Sequence, residues 1–257
     1  MKIAVITGAS SGIGREFARA IAENKKFDEM WLIARREDRL RELAESLHVP
    51  CRVIPMDLTN AESLEEYKCI LESESPEISV MVNASGFGKF GHHTAVKVSE
   101  SLNMIDLNCK ALLAMTEYSL PYLADGAEVY QLGSLSSFQP VPYLNTYAAT
   151  KAFVLSYTRG LRRELRGRKI KLMAVCPGWV GTDFFDRAAT ADTDAVTYYN
   201  KIYTPEAVVR TALKDMRRGR DVSVHGLPVK LQVLGVKLLP HSLVMKIWLK
   251  QQGHDKV

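Results

Sequence analysis

Short apolar runs rich in β-branched residues recur along the chain, near 2–7, 29–34, 51–56, 79–83, 127–133, 170–176 and 222–224. Runs of this length and composition are strands. Between them lie longer stretches in which apolar positions return at helical spacing, as in EDRLRELAESL at 37–47. Strands that are apolar throughout are buried on both faces, and alternation of strand with helix builds βαβ units. The pattern therefore predicts an α/β fold: a doubly wound parallel sheet with helices on both faces, in three α/β/α layers. No Pro-, Gly- or Ser-rich linker divides the 257 residues. A single domain is expected, with a core over 1–225 and a C-terminal helical tail over 226–257 that is broken by Pro228 and Pro240.

Composition narrows the class. With 47% hydrophobic and 25% charged residues, the chain has the make-up of an ordinary globular protein, not of a disordered one. Cys51, Cys69, Cys109 and Cys176 are widely separated and form no CxxC pair. Reduced thiols, a cytoplasmic location and no metal site are the expectation. The first apolar run is too short for a signal-peptide core, and no 18-residue apolar stretch occurs, so no membrane span is expected. A net charge of +5 is too mild to imply nucleic acid. The excess is nevertheless local: residues 205–257 carry ten Lys and Arg against four Asp and Glu, whereas 1–204 carry 24 against 25. The tail interleaves lysines with Leu, Val and Ile. That mixture suits a cover over an apolar pocket, a subunit contact, or association with an anionic membrane surface.

The first strand runs directly into Thr7-Gly8-Ala9-Ser10-Ser11-Gly12-Ile13-Gly14, and a helical stretch follows. Glycines let backbone approach a pyrophosphate closely, and the helix N-terminus behind them offers free N–H groups and partial positive charge. Strand, glycine loop and helix at the start of a βαβ unit mark a Rossmann-like dinucleotide site. At the end of the second strand, 21 residues past Gly14, stand Arg35 and Arg36 in place of an acidic residue. Guanidinium there accommodates a ribose 2′-phosphate, so NADP(H) is the expected cofactor. Arg35 is assigned to that phosphate, and Arg36 to the start of a solvated helix.

Tyr147 and Lys151 lie four apart at the start of a helical pattern over 143–167, so they share one face. A phenol titrates near 10, and a neighbouring ammonium lowers that value by favouring the phenolate, which makes an acid–base group. Thirteen residues before Tyr147, at the end of the strand AEVYQLG, Ser134 offers a hydroxyl to a substrate carbonyl.

Together with Asp57-Leu58, Asn83, Asn108, Pro177-Gly178 and Thr182, these motifs stand in the order and spacing of the short-chain dehydrogenase/reductase family, which the chain resembles over about residues 1–225. The resemblance implies hydride transfer between NADP(H) and a ketone or aldehyde, with Tyr147 as proton donor and Ser134 orienting the oxygen. It implies that Lys151 holds the nicotinamide ribose and depresses the Tyr147 pKa, and that Asn108 anchors a water relaying protons to Lys151. Asp57, beside Leu58, is expected to bind the adenine amino group, Asn83 to support the cofactor, and Thr182, after Pro177-Gly178, to meet the carboxamide. Asn83-Ala84-Ser85-Gly86 departs from the family's usual Asn-Asn-Ala-Gly. Phe87, Phe90, Phe138, Trp179, Phe184 and Phe185 are expected walls of an apolar substrate pocket, Tyr143 is at best a secondary contact, and residues 183–204 are expected to form an irregular substrate loop. The substrate class is a small-molecule carbonyl or alcohol, with hydroxysteroid or long-chain 3-oxoacyl compounds as narrower alternatives. A cofactor-sensing relative without catalysis is the non-enzyme alternative. The family also implies a homodimer or homotetramer.

Overall fold

The computed structural model describes residues 1–188 and 195–254. Its strands are β1 (Lys2–Thr7), β2 (Glu29–Ala34), β3 (Cys51–Pro55), β4 (Glu77–Asn83), β5 (Leu123–Leu132), β6 (Lys171–Val175), β7 (Trp179–Val180), β8 (Ile202–Tyr203) and β9 (Val222–Ser223). Seven of them form one parallel sheet in the order β3-β2-β1-β4-β5-β6-β9, while β7 and β8 pair in a ribbon of their own. The helices are α1 (Gly12–Asn24), α2 (Glu37–Ser46), α3 (Ala61–Glu74), α4 (Val98–Ile105), α5 (Leu112–Ser119), α6 (Asn145–Glu164), α7 (Phe184–Ala188), α8 (Pro205–Arg217), α9 (Leu227–Leu238) and α10 (His241–Gln251).

Successive strand side chains point to opposite faces, so each strand feeds two cores. Ala4, Ile6, Met30, Leu32, Val80 and Val82 pack beneath Phe17 and Ile21 of α1, Leu40 and Leu43 of α2, and Met216 of α8. Their neighbours Ile3, Val5, Trp31, Ile33 and Met81 pack on the other side against Tyr67 of α3, Met115 of α5 and Leu161 of α6. Burying each such side chain contributes about 1.5–3 kcal/mol. The chain winds outward from β1 to β3, then restarts at β4 on the other side of β1. Loops leaving β1 and β4 thus diverge, which opens a crevice at the carboxyl ends of the strands.

The predicted layers and strands are present, with β5 beginning at Leu123, where it pairs with Ile78 across a register shift. The helix expected over 143–167 starts at Asn145, because Tyr143 sits in the left-handed region at φ 66°. Pro228 does not break the tail. It lies in the first turn of α9, where its fixed φ and missing N–H suit a helix start, and Pro240 precedes α10. The loop expected to be irregular holds α7 and β8; its residues 189–194 lie outside the described residues.

Candidate active site

The site is assembled where β1, β4, β5 and β6 end. Gly8 and Gly12 adopt φ of +68° and +54°, the region glycine enters at least cost. A Cβ on Gly8 would stand 2.8 Å from the Ala84 carbonyl, so this turn and the end of β4 meet backbone to backbone. Thr7 Oγ1 accepts from the Ala84 and Ser85 amides at 3.1 and 3.2 Å and ties the two strands together. Those bonds use main chain only, so Ala84 serves where the family has asparagine. Ser11 precedes α1 without a side-chain cap. The first-turn amides of α1 are left for an anion.

Beside this loop three arginines converge. Arg36 donates to Ser11 Oγ at 2.8 Å and Ser10 Oγ at 3.2 Å, and it reaches Asp183 Oδ2 at 3.3 Å. Arg39 donates to the same carboxylate oxygen at 2.8 Å, and both guanidiniums hold the Asp183 carboxyl below its usual range against the opposing effect of burial. Arg35 lies 3.8 Å from Asp57. Arg36, expected to start a solvated helix, is thus bound to the glycine loop. Arg39 carries no signal in the sequence, because its partner Asp183 lies 144 residues away.

Ser134 caps a single 3₁₀ turn over Leu135–Phe138, its hydroxyl hydrogen-bonds Ser136 Oγ at 2.7 Å, and it borders the same cavity as Tyr147. On α6, Tyr147 and Lys151 face the same crevice, with Lys151 Nζ 5.7 Å from the Tyr147 ring centre. Burial pushes the phenol up to about 12, with the Ser134 hydrogen bond opposing it. Burial likewise pulls Lys151 down to about 8, and its ammonium donates to the Leu132 carbonyl at 2.7 Å. Desolvation thus dominates the phenol, while the ammonium is held by a carbonyl.

Asn108 lies in a π-helical segment, Asp106–Ala111, between α4 and α5. Its side chain accepts from the Phe87 amide at 3.0 Å and donates to the Phe87 carbonyl at 2.8 Å and Thr150 Oγ1 at 3.0 Å. It props the Phe87 loop and α6, and its Oδ1 and the Lys151 Nζ flank Gly86, at 2.9 and 3.3 Å from where a Cβ there would stand. Asn83 is buried, donates to Thr116 at 3.0 Å and faces away from the crevice, so its side chain supports β4 from behind. Asp57 Oδ1 accepts from the Thr59 amide and hydroxyl at 3.0 and 2.8 Å.

All these elements border one cavity of about 870 Å³. Gly8, Ser10, Ser11, Gly12, Ile13 and Gly14 line one end with Arg35, Arg36, Arg39, Asp57 and Leu58. Ser134, Tyr147 and Lys151 stand in its middle, near Pro177, Gly178 and Thr182. Thr182 is also the side chain that a Cβ on Gly12 would meet, at 3.0 Å. The far end is apolar, with Phe87, Trp179, Phe184 and Phe185 as expected, joined by Val236, Leu239, Val244 and Trp248 from the tail. Phe90 packs behind this wall, edge-on to Trp179 at 5.9 Å, and Phe138 lies under Lys237; neither borders the cavity. Tyr143 packs against the His254 ring at 4.4 Å, tilted by 34°, and does not line the cavity either.

The family model for short chain dehydrogenases matches residues 2–193. The chain belongs to that family. An uncharacterised oxidoreductase of Staphylococcus epidermidis is 33% identical over 208 residues, spanning 77% of this chain and 90% of the relative. Among solved structures, a short-chain dehydrogenase from Sphingobium yanoikuyae in complex with NADPH is 26% identical and superposes with a TM-score of 0.79 over 95% of each chain. An alcohol dehydrogenase from the archaeon Thermococcus sibiricus, complexed with 5-hydroxy-NADP, is 26% identical, with a TM-score of 0.70 over 87% of this chain and 94% of its own.

As a short-chain dehydrogenase, the molecule is an oxidoreductase. Its site brings a hydroxyl, a protonated phenol and a buried amine to one wall of a cavity that is basic at one end and apolar at the other. Arg187 on α7 was not foreseen: its guanidinium lies 3.6 Å from the Phe87 ring centre, and burial pulls it down to about 10. No helix among the described residues is long and apolar enough to cross a membrane.

Proposed function

We propose that this short-chain dehydrogenase is an NADP(H)-dependent carbonyl reductase or alcohol dehydrogenase acting on apolar ketones or aldehydes. The observation that carries the reading is the meeting of Ser134, Tyr147 and Lys151 on the wall of one cavity, with three arginines at the end of it that the glycine loop lines. The residues fit the cofactor: glycines leave backbone bare where a pyrophosphate lies, and Arg36 with Ser10, Ser11 and Arg39 forms a cradle for a 2′-phosphate. When bound, NADPH supplies the hydride that reduces the carbonyl carbon.

Ser134 Oγ donates to the substrate oxygen and orients it. Tyr147 gives that oxygen its proton, and burial holds the phenol protonated at neutral pH, as reduction requires. Lys151, the cation nearest the ring, stabilises the phenolate left behind and takes the nicotinamide ribose hydroxyls. Phe87, Trp179, Phe184 and the tail exclude water from the reacting atoms. Exposed apolar side chains on α4 and α6, among them Leu102, Ile105 and Phe153, supply the surface for a homodimer or homotetramer. Tyr147→Phe is expected to keep NADPH affinity within about twofold while lowering turnover on a carbonyl panel by at least about 10²-fold, the scale of a lost general acid. Unchanged turnover overturns the reading.

A further inference from the structure

The tail buries one side and exposes the other. Val229, Val233 and Val236 of α9 and Val244 and Trp248 of α10 face inward. Outward, Leu227, Leu231, Leu234 and Leu238 repeat at helical spacing along α9, with Leu227 and Leu238 69% and 76% exposed. Leu243 and Ile247 continue the exposed apolar surface on α10. Lys230, Lys237, Lys246 and Lys250 are all exposed on the same two helices, and residues 226–254 contain no Asp or Glu.

That charge pattern distinguishes the tail from the molecule's other exposed apolar surface. On α4, α5 and the π-helical segment between them, apolar side chains alternate with charges of both signs, including Glu100, Lys110 and Glu117. Mixed charge suits a second protein chain, whose own surface carries both signs. An apolar stripe set only among cations matches an anionic lipid surface, where leucines enter the interface and lysines meet headgroup phosphates. At 12 residues, α9 is about 18 Å long, too short to cross a bilayer of about 30 Å but suited to lie on one. The same helices form the rim of the cavity through Val236, Leu239, Val244 and Ile247.

We propose that the outer face of α9 and α10 docks on anionic phospholipid membranes, with the apolar end of the cavity opening toward the bilayer. The docking is independent of the catalytic reading; entry of apolar substrate from the lipid rests on it. Flotation of the purified full chain, without substrate, tests the docking alone. Vesicles of phosphatidylcholine with about one-third phosphatidylglycerol are expected to carry the protein at low salt, and pure phosphatidylcholine to carry at least about tenfold less. Replacing the four lysines by glutamine lowers partitioning on the order of 100-fold. Leu231→Gln, Leu234→Gln and Leu238→Gln together, none of which lines the cavity, abolish flotation while melting temperature and NADPH binding stay at wild-type values. The proposal is overturned if wild-type protein stays unbound with anionic vesicles, or if the lysine variant partitions as well as wild type. It is also overturned if the leucine variant has a smaller mass than wild type by analytical ultracentrifugation, which would assign the stripe to a contact between copies.

Discussion

Lys151 shows how a single residue carries a cost for function. Its ammonium is almost fully buried, with one carbonyl as its hydrogen-bond partner, and its pKa falls from 10.5 to about 8. Below pH 8 both native and unfolded chains hold the proton, so the full penalty of burying the cation is present. Between pH 8 and about 10.5 the unfolded chain binds more protons than the native one, so this residue's destabilisation fades as pH rises. Tyr147 acts in the opposite sense: its raised pKa favours the native state below 10, and the benefit is lost as pH climbs toward 12. Lys151→Met is therefore expected to stabilise the cofactor-free protein at pH 7 by about 1–2 kcal/mol, after allowing for the unpaired Leu132 carbonyl. The gain should shrink by pH 9.5 in urea titrations, and turnover should be lost. A variant less stable than wild type at pH 7 would show that the amine is not buried at a cost.

At the scale of elements, two glycines give opposite expectations. A Cβ on Gly14 would drive into the Gly8 carbonyl, backbone against backbone, so α1 could no longer seat on the turn after β1. The overpacking cost of about 3 kcal/mol exceeds the gain in helix propensity of about 1 kcal/mol, and Gly14→Ala should unfold earlier and bind NADPH weakly. Gly160, on the exposed side of α6, has open space where its Cβ would sit, so Gly160→Ala should stabilise by about 0.5–1 kcal/mol. Chemical denaturation of both variants checks the pair. Elements of this kind were legible in the sequence because the signals are local. Strands buried on both faces show as unbroken apolar runs, and Tyr147 and Lys151 announce themselves by being one helical turn apart. Arg36 and Asp183 were not legible as partners, since nothing in a chain separation of 147 residues marks them as neighbours. Phe90 and Phe138 were misplaced for a related reason: proximity in sequence to the cavity wall does not decide which face a ring takes.

For the whole molecule, the tail ties its parts together. Trp248 Nε1 donates to the Pro142 carbonyl at 3.0 Å, and Gln252 Oε1 accepts from the Thr197 and Tyr198 amides at 2.9 Å each. The basic tail thus forms the rim of the apolar end of the cavity, opposite the arginines. Across the middle, Asp183 bridges from the segment before α7 to Arg36 and Arg39. On the proposed reading, its carboxylate sits among the guanidiniums that would hold a 2′-phosphate. Asp183→Asn should therefore tighten NADPH about threefold, the scale of exposed ion pairs, and leave NADH unchanged in fluorescence titrations. Two anions competing for one pair of arginines also set a sequence of events. On the proposed reading the dinucleotide adds first and displaces the carboxylate, so initial-rate and product-inhibition kinetics should show compulsory-order addition that weakens toward random order in the asparagine variant.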